Sequence, residues 1–164
     1  MFLSPVCQLH KASGGGGGLA ALTSGAGSSL RNDYTGYVGF AFTPTRLLTV
    51  SSLGRWVVSG NSQTHSIGIW TTIALIASAT VNCSGATPAQ YLYHTLGTPL
   101  ILATGTQYYL TSTETSGGDE WYNVFSGSST SDLVINFACY GTGPATPASN
   151  VGAGVWVPPN FQYT

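Results

Sequence analysis

Residues 65–83 read HSIGIWTTIALIASATVNC. Two apolar stretches, HSIGIW and IALIASATVNC, are rich in β-branched and aromatic residues. In the second, Ala79, Val81 and Cys83 occupy every other position, which places them on one face of an extended strand. Neither stretch combines the caps, charges and 3.6-residue period of a surface helix. The same pattern continues upstream in GYVGFAF (36–42) and LLTVSSLGRWVV (47–58). Downstream it returns in QYLYHTL (90–96), QYYLTST (107–113), WYNVF (121–125) and LVINFACY (133–140). The separators TPT, SGNSQT, SGATPA, GTPLILATGT, SGGDE and SGSSTSD carry the Gly, Pro, Asn and Ser of turns. Roughly eight or nine short strands in about 110 residues predict an all-β fold, an antiparallel β-sandwich of jelly-roll type.

Three parts follow from the composition along the chain. Residues 1–33 read as a Gly-rich N-terminal arm, because five consecutive glycines have too little side chain to order themselves. Residues 34–143 form the sandwich, and residues 144–164 a Pro/Gly-rich C-terminal arm. Fully extended, the first arm could reach about 110 Å, far beyond the radius of about 13 Å expected for a 100-residue core. The apolar residues Phe2, Leu3, Leu19, Leu22, Trp156 and Phe161 are the expected anchors by which such arms would seat on a neighbour.

Charged residues make up only 5% of the 164, with a net charge of −1. Lys11, Arg31, Arg46 and Arg55 are too scattered to track a phosphate backbone, so no nucleic-acid partner is expected. No stretch is long and apolar enough to span a bilayer, and the opening MFLSPVCQLHKASGGGGG lacks a basic leader, so neither membrane nor secretory signal is expected. Cys7, Cys83 and Cys139 are odd in number and have no CxxC spacing, which argues against a metal cage. Period-two alternation puts Cys139 with Leu133, Ile135 and Phe137, facing inward. A Cys83–Cys139 bridge is left open by the sequence.

Several marks lie in one region. They are Leu53-Gly54-Arg55 before an aromatic, the Gly60-Asn61 turn, His65 opening a strand, and ETSGGDEWY (114–122). With these, residues 37–140 resemble an uncharacterised β-sandwich module that recurs in bacterial surface or secreted proteins and in phage structural proteins. The resemblance implies a non-catalytic accessory module and carries over no catalytic residues.

The densest chemistry is TETSGGDEWYN (113–123), which holds Glu114, Asp119 and Glu120, three of the five acids. Adjacent Asp119 and Glu120 would face opposite ways on a strand, unlike a glycosidase pair set about 5–10 Å apart across a cleft. No nucleophile elbow or ordered triad can be assembled around His10, His65 or His94, and no enzyme activity is expected. His65 reads as a partner for a nearby carboxylate or backbone group. No cofactor is expected. Calcium at Glu114, Asp119 or Asn123 is the one ion the donor types suit, but the loop lacks a D-x-D-x-D spacing. The bland reading is a Gly117-Gly118 hairpin tip whose acids face water while Trp121 or Tyr122 packs inward. The site reading is a glycan surface using Glu114, Asp119, Glu120, Trp121 and Tyr122, drawn from a pool of Trp and Tyr that also includes Trp56, Trp70, Tyr91, Tyr93, Tyr108 and Tyr109.

Together these readings predict a non-catalytic assembly protein, a phage virion component such as a capsid decoration, head-fibre or tail protein. It would engage itself or other subunits through both arms, in a virion or an extracellular assembly. The alternative is a glycan-binding or adhesive module of an extracellular protein.

Overall fold

The computed structural model describes residues 18–142, 149–150, 156 and 158–164. The strands are β1 (Leu19–Ala20), β2 (Gly27–Arg31), β3 (Gly36–Pro44), β4 (Leu48–Trp56), β5 (Thr64–Trp70) and β6 (Leu75–Asn82). They continue as β7 (Tyr91–Leu102), β8 (Tyr108–Glu114), β9 (Trp121–Phe125), β10 (Leu133–Gly141), β11 (Ser149–Asn150) and β12 (Pro159–Tyr163). No helix occurs among the described residues, and none is long and apolar enough to cross a membrane.

A six-stranded sheet in the order β11-β10-β3-β8-β5-β6 packs on a four-stranded sheet in the order β1-β12-β4-β7. A two-stranded ribbon pairs β2 with β9. Every pairing is antiparallel. The chain is therefore the all-β sandwich that the alternation predicts, although these strand orders do not establish a jelly-roll winding.

Alternation explains the core. Phe40 and Phe42 on β3, Ile67 and Ile69 on β5, and Leu110 on β8 are fully buried on the inner face of the larger sheet, with Phe40 and Ile69 both in register with Leu110. Val50 and Leu53 on β4 meet them from the smaller sheet, with Phe161 and Tyr163 on β12. The Phe42 and Phe161 rings lie 5.2 Å apart, closing the two layers.

Four pairings shift register among the described residues, and two of the shifts bear on the readings above. On β7, Leu96, Gly97, Thr98 and Pro99 bulge out opposite Ser51 alone, because Val50 pairs with Leu100 and Ser52 with Thr95. Pro99 has no N–H to give the ladder, so a bulge is where it fits. On β10 the register shifts at Asn136, so Ile135 pairs with Phe42 but Phe137 pairs with Ala41. The shift inverts the face: Leu133 and Ile135 stay with the core, while Phe137 and Cys139 turn to the opposite side of the sheet. Cys83 belongs to the core cluster and Cys139 does not, and both are free and buried. A bridge between them would have to cross the sheet.

The described parts of the expected arms are built into the sandwich. Leu19 pairs with Tyr163 and Ala20 with Gln162, so the two terminal segments meet each other, and β12 continues onto β4. Asn160 fixes the junction: its Oδ1 accepts from Leu22 N at 3.0 Å, and its Nδ2 donates to Leu22 O at 3.0 Å and to Tyr93 Oη at 2.9 Å. Leu22 and Phe161 are fully buried in this chain's own core rather than available to a neighbour, while Leu19 is 57% exposed. The sequence reading set these segments apart because they are short and Gly-rich; the pairing partners that order them lie far along the chain. The anchors Phe2 and Leu3 lie outside the described residues.

Candidate functional site

Period two carries charge into the core. Arg55 follows Leu53 on β4, His65 precedes Ile67 on β5, and Ser112 and Glu114 follow Leu110 on β8. Each therefore points between the sheets at one end of the apolar stack, and Arg55, His65, Ser112 and Glu114 are all buried. An isolated buried charge would be severely penalised, so each must find a partner.

They find one another. Arg55 grips Glu114 with two bonds, Nε to Oε1 at 3.1 Å and Nη2 to Oε2 at 2.8 Å. Its Nη1 donates to Asn61 Oδ1 at 2.9 Å and to the Trp56 carbonyl at 3.0 Å. Ser112 Oγ donates to Glu114 Oε1 at 2.6 Å. His65 Nδ1 meets the Thr113 carbonyl at 2.6 Å, and Nε2 meets Asp119 Oδ2 at 3.1 Å. Asp119 also accepts from the backbone N–H groups of Ser62 and Gln63, at 2.8 and 2.9 Å. Burial pushes the Asp119 carboxyl upward, but the Ser62 N–H, His65, the Gln63 N–H and Arg55 outweigh it and hold it below the usual carboxylate range.

A carbonyl oxygen only accepts, so the contact with Thr113 makes His65 Nδ1 a donor, and the ring bridges β8 to the Asp119 loop.

His65, Cys83 and Asp119 bring ligand atoms within 4.8 Å of one another, all buried. This is a nitrogen, sulfur and oxygen set, unlike the six to eight oxygens, roughly, that calcium takes. An ion there would have to displace the His65–Asp119 contact beside a buried guanidinium. Asn123, the third residue considered for calcium, accepts from Arg31 Nη1 at 3.2 Å instead. The network is complete as a set of mutual hydrogen bonds, and we assign it no ion.

The TETSGGDEWYN segment is thus no hairpin tip. Strand β8 lies in the large sheet and β9 in the ribbon, and residues 115–120 carry the chain between them. Gly117, at φ +76°, makes the turn, and Gly118 N donates to Thr115 O. Glu114 and Asp119 face the core, contrary to the expectation that they face water. The reason is visible in retrospect: Leu110, Ser112 and Glu114 share one face, and it is the inner one.

Strand β9 then divides its residues between two concavities. Arg31 pairs with Trp121 and Leu30 with Tyr122, so successive residues of the ribbon face opposite ways. On one side a cavity of about 330 Å³ is lined by Arg31, Tyr34, Val38, Trp121, Tyr140 and Trp156. The Arg31 guanidinium lies 6.0 Å from the Trp121 ring centre and 5.8 Å from that of Trp156. The Tyr140 ring meets Tyr34 edge-on at 5.5 Å and Trp156 at 5.6 Å. Gly36, at φ +142°, admits the Tyr34 ring, since a Cβ there would stand 2.4 Å from the Gly141 carbonyl oxygen and 3.0 Å from the ring. Two buried polar atoms of these residues, Tyr34 Oη and Trp121 Nε1, have no hydrogen-bond partner among the described residues. On the other side, Glu120 and Tyr122 face a cleft shared with Leu30, Trp56 and Pro88.

The five site residues read from sequence therefore do not converge. Glu114 and Asp119 belong to the network, Trp121 to the cavity, and Glu120 and Tyr122 to the second cleft. His65 does partner a carboxylate and a backbone carbonyl, as expected. Sequence reasoning missed Arg31, Tyr34 and Tyr140 as neighbours of Trp121, and treated Trp156 only as an arm anchor. Their convergence depends on the β2–β9 pairing across some ninety residues, for which the only local hint is the RNDY run at 31–34. Among the other aromatics, Trp70 and Tyr108 are buried, with Trp70 Nε1 bonded to Thr111 Oγ1 at 2.9 Å.

No protein-family model matches the chain, and no curated protein matches it either. Among the residues of the quoted marks, Arg55, Asn61, His65, Glu114 and Asp119 belong to the buried network, while others, such as Gly54, Gly60 and Tyr122, do not.

Proposed function

We propose that the chain is a non-catalytic structural subunit of an assembly, a virion component of the capsid-decoration, head-fibre or tail type. The observation that carries this reading is the free edge of the larger sheet. Strand β6 ends the sheet order, with no strand hydrogen-bonded on its outer side among the described residues, and its sequence LIASATVN has neither charge nor proline. Leu75 and Ile76 on it, and Ile73 just before it, are exposed, Ile73 by 83%. Monomeric sheet proteins protect such edges with Lys, Pro or bulges; β6 has one bulge, at Ile76, where Ile69 pairs with Ala77 and Trp70 with Leu75, and residues 77–82 beyond it are left as a template for strand addition. The occupant it fits is the matching edge of another copy.

Charge supports the same reading. Among the described residues every arginine is paired with a carboxylate: Arg31 with Asp33, Arg46 with Asp132 and Arg55 with Glu114. None is left over for phosphate. The buried acids Glu114 and Asp119 are engaged by their network and support no hydrolytic role.

Light scattering on the full chain tests the proposal beside two variants, Ile73→Lys with Ile76→Lys, and a chain lacking residues 1–17, which contribute none of the described strands. An oligomer that the lysines convert to monomer supports edge pairing. An oligomer lost only on truncation moves the contact to the arm. Monomers throughout overturn the assembly reading.

A further inference from the structure

We propose that the cleft between the β2–β9 ribbon and residues 57–59 and 88–89 receives an arginine side chain from a partner protein. A carboxylate without a partner leads there. Of the five acids, Asp33 is paired with Arg31, Asp132 with Arg46 and Glu114 with Arg55. Asp119 is held by His65 and two backbone N–H groups. The Glu120 carboxylate has neither an ion pair nor a hydrogen bond among the described residues. Nor is it sealed in: the unpartnered polar atoms that solvent cannot touch are Tyr34 Oη and Trp121 Nε1. A group from outside can therefore reach the Glu120 oxygens.

Elsewhere the chain shows what such a carboxylate would hold. Arg31 gives Nε to Asp33 Oδ1 at 2.8 Å and Nη2 to Asp33 Oδ2 at 3.3 Å, and its guanidinium lies 6.0 Å from the Trp121 ring centre. Arg46 gives Nη2 to Asp132 Oδ2 at 2.9 Å and lies 5.6 Å from the Tyr163 ring centre. In each, a carboxylate and an aromatic ring share one guanidinium. The cleft sets out the same two components, Glu120 with the half-buried Trp56 and Tyr122, and no cation lines it. A planar guanidinium matches them better than an ammonium does. It can bond both carboxylate oxygens while lying against a ring, and it is more weakly hydrated. The volume of about 380 Å³ is at the small end of ligand sites, enough for one long side chain.

The scaffold holds the cleft ready. The Glu120 carbonyl accepts from Arg55 Nη2 at 3.4 Å and from Asn61 Nδ2 at 3.3 Å, so the buried network fixes the backbone from which the carboxylate projects. Tyr122, two residues on, is in register with Leu30 of the ribbon. Across the cleft Ala89 adopts φ +62°, uncommon for a residue with a Cβ, and its N–H donates to the Val57 carbonyl at 2.8 Å. All three arginines of this chain are already paired, so the arginine comes from a different protein rather than from a second copy. The inference is independent of whether the chain assembles through β6.

The experiment is a titration of the full chain, at constant ionic strength, with the N-acetyl methylamides of arginine, lysine and citrulline and with choline. It is followed by the indole N–H resonance of Trp56 and the methyl resonances of Leu30. The expected result is a saturable shift with the arginine amide, bound about tenfold more tightly than the citrulline amide, which has nearly the same shape without the charge. Lysine amide and choline should bind more weakly than arginine amide. Glu120→Gln keeps the side-chain length and the backbone carbonyl, and should weaken arginine binding by about tenfold, the worth of a charge-assisted hydrogen bond. Tyr122→Leu keeps an apolar wall without the ring and should cost about threefold. No saturable shift with arginine amide up to about 100 mM, equal binding of citrulline amide, tighter binding of lysine amide or choline, or arginine binding that Glu120→Gln leaves unaltered would each overturn the assignment.

Discussion

At one end of the core, Arg55, Asn61, His65, Glu114 and Asp119 satisfy each other at distances of 2.8–3.1 Å. Beside the ribbon, Tyr34 Oη and Trp121 Nε1 are also buried and have no partner among the described residues. The two regions are joined through one residue, since only Glu120 separates Asp119 from Trp121. Their difference separates support from capacity. A saturated network holds two sheets and a loop in register, and a ligand entering it would have to break bonds as good as those it made. Buried donors left unmet among the described residues cost stability that the network does not.

The largest expected effect comes from breaking the network. Glu114→Gln leaves the Arg55 guanidinium buried without its counter-charge, and a broken buried pair destabilises by about 3–5 kcal/mol. Urea unfolding of the full chain measures it. Replacing both partners, Arg55→Met with Glu114→Leu, should restore much of the loss, because well-packed apolar groups can replace a buried pair at little cost. A Glu114→Gln loss under about 1 kcal/mol, the range of exposed pairs, would mean that the network is not what holds this end of the sandwich together.

Acid sharpens the comparison next. The Asp119 carboxyl titrates below its ordinary value in the folded chain, mainly because the Ser62 N–H, His65 and the Gln63 N–H outweigh the opposing effect of burial. The unfolded chain therefore binds a proton first. The stability Asp119 contributes is complete above about pH 5 and is lost as pH falls through its depressed folded value. Asp33 and Asp132 are depressed too, through exposed pairs with Arg31 and Arg46. Salt distinguishes them, since it screens exposed pairs far more than a buried one. Unfolding midpoints should fall below about pH 4 with or without added salt, and Asp119→Asn should flatten the part that salt does not touch. A profile abolished by salt alone would place the pH dependence on the surface.

Much of this was legible in the sequence, and the remainder failed for identifiable reasons. The strands follow from alternation, and so does the inward face of Cys83, because no register shift falls between Ala79 and Val81 just before it. Cys139 was placed with Leu133 because nothing in LVINFACY announces a register shift at Asn136; the shift answers Thr43 and Gln107, which Asn136 Nδ2 bonds at 2.9 and 3.0 Å. The buried acids were readable but outweighed by the habit of placing carboxylates in water. Leu110-Thr-Ser112-Thr-Glu114 and Leu53-Gly-Arg55 already put opposite charges on inward positions. The cavity was not readable, because Arg31, Tyr34, Trp121, Tyr140 and Trp156 come together only through pairings between distant strands.

The smallest expected effect falls on the cavity, and its sign is the informative part. The Tyr34 hydroxyl is desolvated with no partner among the described residues, and burial pushes its pKa up. Removing an unmet polar atom while keeping the ring takes away a penalty and no contact. Tyr34→Phe should therefore be neutral or stabilising by up to about 1 kcal/mol, where an equally conservative change in the network destabilises severalfold more. Measured by urea unfolding, a loss of stability would show that the hydroxyl has a partner within the chain. The cavity would then be a second piece of scaffold. A gain would mean that the sequence keeps a hydroxyl which the fold alone does not use.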